Sequence, residues 1–112
     1  MNAQLVYGHE NEFLGVLITA RQQGYSDYIV YQLAVDRQGK IVDLEVLEHS
    51  ETEDSGGVIE EPEFREQFPG VSYRDTVSEK VDVVSGATES TRAIIDSVEE
   101  VMEVVEEEYL NQ

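Results

Sequence analysis

The residues best equipped for chemistry lie in one short span, Ser85-Gly86-Ala87-Thr88-Glu89-Ser90-Thr91-Arg92, which combines hydroxyls, a glycine and one of only seven basic residues. A long amphipathic pattern begins at Ser90, so this span stands at the mouth of a helix. A helix N-terminus presents unpaired backbone N–H groups and a partial positive charge, and both favour a phosphate. Gly86 lets the backbone approach a ligand closely, and Ala87 adds little bulk. Ser85, Thr88, Ser90 and Thr91 can each donate to a phosphate oxygen, and Arg92 can offset its charge. Ser and Thr are also ordinary helix caps, so residue types alone leave two readings open, an anion site and a capped helix start.

A second chemical candidate is His49-Ser50-Glu51-Thr52. His49 can hydrogen-bond a ligand, although a lone loop histidine often has no such role. His9 sits in a polar N-terminal stretch and is assigned none. The acids of Glu51-Thr52-Glu53-Asp54-Ser55 could take a calcium ion, but the Asp-x-Asp-x-Asp-Gly spacing of an EF-hand is missing. No Ser-His-Asp order orients either histidine for nucleophilic catalysis. Asp27, Asp36 and Asp43 read as turn and edge residues, and Tyr25 and Tyr28 as packing residues that could alternatively stack on a planar ligand.

Composition narrows the classes. The chain has 112 residues, enough for one domain with a modest core. Its net charge of -18, from 25 acidic against 7 basic residues, opposes any partner held through phosphates, so no nucleic-acid binding is expected. Basic partners or cations suit such a surface, which otherwise serves solubility. The absence of cysteine excludes disulfides, thiolate metal sites and a Cys nucleophile. No window approaches the roughly 18 consecutive apolar residues of a membrane span, and the N-terminus lacks a signal-peptide pattern, so any leader or anchor is expected outside this chain.

The elements that must position these residues follow from periodicity. Residues 13–20 read as a strand ended by a polar turn at Gly24. Residues 28–36 and 40–48 are β-branched and aromatic-rich, and Gly39 between them suits a left-handed turn position, which predicts a hairpin. Strict alternation places Ile41, Asp43, Glu45 and Leu47 on one face of its second arm and Val42, Leu44 and Val46 on the other. Residues 49–64 read as a long surface loop. A short helix is expected at 62–68 with Pro62 in its first position, and another strand at 71–77. From Ser90 to Tyr109, Ile94, Val98, Val101 and Val105 repeat at helical spacing, with Ile95, Met102 and Tyr109 widening the stripe. Its opposite face is acidic, and those acids near the C-terminal end should fray the last turn. The expected fold is α+β, a mostly antiparallel sheet of about four or five strands packed against the long C-terminal helix.

Asp82-Val83-Val84-Ser85-Gly86-Ala87-Thr88 resembles the flavinylation motif Asp-x-x-Ser/Thr-Gly-Ala-Thr/Ser of FMN-binding domains, found in flavoprotein subunits of the ion-pumping NADH:quinone reductase and the Rnf complex. The run from Gly24-Tyr25 through the Asp36-x-x-Gly39 turn to His49-Ser50-Glu51-Thr52 is similar to the same family, so roughly residues 24–105 are covered. The resemblance implies FMN attached to Thr88 through a phosphoester by a flavin transferase, with Asp82, Ser85, Gly86 and Ala87 as the sequence that enzyme recognises. It also implies His49, Glu51 and Thr52 as flavin contacts, an electron-carrier role rather than a complete enzyme, redox partner subunits in a membrane complex, and a place on its extracytoplasmic face. Two features depart from the family pattern. Glu53-Asp54-Ser55-Gly56-Gly57 replaces Pro-Gly-Leu-Gly, and Glu89 stands beside the acceptor. A flavin-free or loosely FMN-binding regulatory domain, or an acidic cation-binding module, is the alternative.

Overall fold

Four strands form the sheet, and each pairs with its sequence neighbours. In this computed structural model, which describes residues 1–23, 28–49 and 58–110, they are β1 (Asn2–Tyr7), β2 (Phe13–Gln23), β3 (Tyr28–Asp36) and β4 (Ile41–His49). They form an antiparallel meander in the order β1-β2-β3-β4. The α+β expectation holds, with the long helix lying against the sheet.

The central strands obey the period of two. Val16, Ile18 and Ala20 of β2 and Ile29, Tyr31, Leu33 and Val35 of β3 are buried on one face. The hairpin turn is held by Asp36, whose Oδ1 accepts the N–H groups of Gln38 (2.9 Å) and Lys40 (3.0 Å), and Gly39 takes the left-handed φ of 84°.

Strict alternation fails in β4. Val35 pairs with Ile41 but Ala34 with Asp43, so Val42 is an extra residue, and Leu47 is another between Val46 and Glu48. Each extra residue reverses the facing that follows. Ile41, Leu44 and Val46 therefore share the core side, and His49 lies opposite the buried Ile29.

The chain then builds α1 (Pro62–Arg65), with Pro62 at the start as expected but ending at Arg65 rather than residue 68, and Gly70 turns the chain beyond it at φ 93°. Phe64 and Phe68 are both fully buried and meet edge to face with centroids 5.3 Å apart. Residues 71–77 are not a strand. Only Ser72 bridges to Lys40, because Asp75 Oδ2 takes the Ser72 N–H at 2.9 Å while the Asp75 N–H donates back to the Ser72 carbonyl, closing a turn. A one-turn helix α2 (Val77–Lys80) follows.

The last element, α3 (Thr88–Val105), buries Ile94, Ile95, Val98, Val101, Met102 and Val105 in the same core as the sheet residues, the stripe that the periodicity predicts. Its end widens into a π turn over Glu106–Leu110, with acids at Glu106, Glu107 and Glu108 and no basic residue in the last turn. Among the described residues no helix is long and apolar enough to cross a membrane.

Candidate functional site

Residues 81–87 link α2 to α3. Val81 and Ala87 are buried at either end, whereas Asp82, Val83, Ser85, Gly86 and Thr88 are exposed. The turn closes through Ala87 N–H to the Val84 carbonyl at 3.0 Å, with Gly86 at φ 89°. A left-handed φ excludes most side chains, so glycine is required here by backbone geometry. A Cβ placed on Gly86 would meet no atom of the described residues within 4 Å beyond its chain neighbours, so among them the space in front of this backbone is open.

The cap of α3 is Ala87, which has no side chain able to bond the first-turn N–H groups. Thr88 occupies the first helical position, and the reading of Thr88 as an N-cap therefore fails. An uncapped helix start behind an open turn can take a phosphate through backbone donors and dipole. Glu89, in the same first turn, competes for that field.

The remaining hydroxyls divide in two. Ser85 and Thr88 face outward, whereas Ser90 and Thr91 are fully buried. Thr91 Oγ1 donates to the Ala87 carbonyl at 2.8 Å and accepts the Val84 N–H at 3.2 Å, which spends it on shaping the turn. Arg92 is exposed and, with Asp82, Ser78 and Asp96, lines a cleft of about 220 Å³ beside the motif.

One contributor carried no sequence signal. The side-chain amide of Gln67, just past α1, accepts the Asp82 N–H at 2.8 Å and donates to the Asp82 carbonyl at 3.2 Å. A polar residue that follows Arg65 and Glu66 in a short helical segment reads as solvent-facing, so only the folded chain reveals this grip.

His49 is a separate feature. Its Nε2 lies 3.1 Å from Glu60 Oε1, and its Nδ1 is buried with no partner among the described residues. Glu51 and Thr52 lie outside the described residues, as do Tyr25 and Asp27. Tyr28 is 43% exposed, with the Arg21 guanidinium 4.0 Å above its ring. Asp36 and Asp43 bond neighbouring backbone N–H groups. No cluster of three or more potential metal ligands occurs among the described residues. The structure thus gathers Asp82 through Thr91 into one built turn, whereas His49 is tied to Glu60.

A family model described as "FMN-binding domain" matches residues 24–103. The chain is 38% identical over 69 residues to a subunit of the ion-translocating oxidoreductase complex of Methanosarcina acetivorans, covering 58% of this chain and 37% of that protein. It is 26% identical over 102 residues to a subunit of the proton-translocating ferredoxin:NAD(+) oxidoreductase complex of Clostridium ljungdahlii, covering 85% of this chain and 55% of that one. Its fold matches the crystal structure of Shewanella oneidensis NqrC at a TM-score of 0.75 and 21% identity, over 89% of this chain and 54% of that chain. The chain therefore spans between about a third and about half of the length of these relatives.

Proposed function

The chain belongs to the FMN-binding domain family, and from that premise we propose that it is a single electron-transfer module carrying FMN on Thr88 through a phosphoester. The observation that carries this reading is the exposed Thr88 at the uncapped start of α3, beside the open face of Gly86. Relatives named as subunits of ion-translocating and ferredoxin:NAD(+) oxidoreductase complexes support an electron-transfer role among redox partner subunits.

In the attachment step a flavin transferase presents FAD to the turn. Thr88 Oγ bonds to the phosphorus of the FMN half, the pyrophosphate P–O bond breaks, AMP leaves, and the hydroxyl proton passes to a base of the transferase. Asp82, Ser85, Gly86 and Ala87 form the recognised sequence, of which Asp82, Ser85 and Gly86 are exposed and Ala87 is buried, and Gly86 leaves room for the donor. A phosphate attached there would lie next to the α3 N-terminus, whose backbone N–H groups and dipole would stabilise it. Bound FMN supplies one- and two-electron transfer, while the protein fixes its position and local polarity. His49, Glu51 and Thr52 are assigned to the flavin by family position, and the module to the extracytoplasmic face of a membrane complex.

The test is intact mass and tryptic mapping after co-expression with a flavin transferase and export. A gain of one FMN less water on the peptide holding Thr88, lost in Thr88→Val, supports the carrier. No gain, with the transferase active on another acceptor, would favour an interaction domain without covalent flavin.

A further inference from the structure

The attachment motif is entered through extended backbone, with Val81 at φ -122° and ψ 126°, yet among the described residues no strand pairs with it. Residues 82–84 belong to no sheet, and Asp82 is exposed. In an extended chain the N–H and C=O of one residue point to the same side, where a neighbouring strand would ordinarily bond both. Gln67 takes that place, with its Oε1 on the Asp82 N–H at 2.8 Å and its Nε2 on the Asp82 carbonyl at 3.2 Å. Its own backbone is fixed, since Gln67 directly precedes the fully buried Phe68 and its N–H donates to the Phe64 carbonyl at 3.3 Å. Thr91 ties the other end of the turn to Val84 and Ala87.

We propose that Gln67 is a positioning residue for the modification of Thr88: it holds the backbone of Asp82 in a preformed register, so that the transferase docks on a turn already in its bound shape. This rests on the reading of Thr88 as the acceptor. A clamp that touches both main-chain groups of Asp82 leaves the Asp82 carboxylate outward, free to be recognised. Loss of the clamp lets residues 82–84 sample other conformations, and the enzyme then has to select the competent fraction. That raises the apparent KM for the acceptor chain in proportion, while kcat stays near its original value.

The experiment measures flavinylation by purified transferase with FAD and Mg²⁺ for the wild-type chain, Gln67→Met, Gln67→Glu and Ile18→Val, together with thermal melting and amide hydrogen exchange at Asp82. Methionine keeps the length of glutamine without either bond, and glutamate keeps only the acceptor for the Asp82 N–H. Ile18→Val loosens the sheet core away from the motif. The expected result is a KM about fivefold higher for Gln67→Met, a smaller rise for Gln67→Glu, kcat within about twofold, and faster exchange at Asp82. Ile18→Val should lower the melting temperature and leave KM unchanged. If Gln67→Met does not fold, Gln67→Glu decides by the same KM and exchange readouts. An unchanged KM, a change confined to kcat, or a rise matched by Ile18→Val overturns the proposal. Failure of the wild-type chain to accept FMN removes the Thr88 reading itself and this inference with it, whereas modified wild type with indifferent Gln67 variants removes this inference alone.

Discussion

The hydroxyls of Tyr31, in the middle of β3, and Ser97, on α3, lie 2.6 Å apart with both side chains buried. This polar bond ties the sheet to the helix that carries the attachment turn. Removing one partner strands the other, so Ser97→Ala should cost about 1–3 kcal/mol, while adding Tyr31→Phe should recover much of that loss. A double-mutant cycle by urea denaturation measures it, and additive single losses would mean that the bond contributes nothing.

The same tyrosine sets an alkaline limit. Burial pushes the Tyr31 phenol up to about 12 from 10.0, partly offset by its bond to Ser97. The unfolded chain loses this proton first, so it binds fewer protons than the native state above pH 10. Stability should therefore be intact below about pH 10 and fall between about pH 10 and 12, by roughly 2–3 kcal/mol for this group. Tyr31→Phe should flatten that part of the pH profile, measured against wild type by denaturant midpoints.

Thr91 should behave as a structural hydroxyl. Its Oγ1 bonds Val84 and Ala87 from a fully buried position, so Thr91→Val strands the Val84 N–H, while the Ala87 carbonyl keeps only the Thr91 backbone N–H. The expected loss is about 1–3 kcal/mol, and Thr91→Ser should recover most of it. Equal melting temperatures for Val and Ser variants would refute that role.

Gly86→Ala separates backbone strain from crowding. The added methyl meets no atom of the described residues beyond its chain neighbours, yet the φ of 89° is left-handed, so the loss should be about 1–2 kcal/mol from conformation alone. The methyl also stands in the open face beside Thr88, so flavin incorporation should fall more than stability does. Incorporation that simply tracks the folded fraction would argue against an approach route over Gly86.

Where periodicity and turn chemistry agree, the fold was legible from the residues. Gly39 and Asp36 mark the hairpin, and the Ile94 to Val105 stripe marks α3. β1 gave no such signal, because as an edge strand it leaves all but one of its residues exposed and depends on backbone pairing with β2. The extra residues at Val42 and Leu47 were equally silent, since an apolar residue reads alike at a bulge and in a regular strand. The β-branched residues around 71–77 suggested a strand, but the Ser72–Asp75 turn overrides that propensity. For the site, the motif located the turn from Asp82 to Thr88, whereas its supports required the fold. Gln67 reaches Asp82 across 15 positions, and the burial of Thr91 is a tertiary fact.

Charge should limit stability most at the end of the long helix. The chain carries a net charge of -18, and Glu106, Glu107 and Glu108 crowd the negative end of the helix dipole with no basic residue in the last turn. Both effects act at the surface, where about 0.1 M salt already screens beyond roughly 10 Å. The melting temperature of the wild-type chain should therefore rise between low salt and about 0.5 M NaCl. Glu107→Lys, at an exposed position, should stabilise by about 0.3–1 kcal/mol at low salt, because it removes a repulsion and adds a charge that complements the dipole. That gain should shrink in 0.5 M NaCl, since the same ions screen both contributions. Sodium chloride and the neutral osmolyte sucrose, compared on both chains, distinguish screening from general exclusion effects, because only salt should close the gap between them. A gap that persists at high salt would place the effect of the substitution in packing or helix propensity rather than in charge.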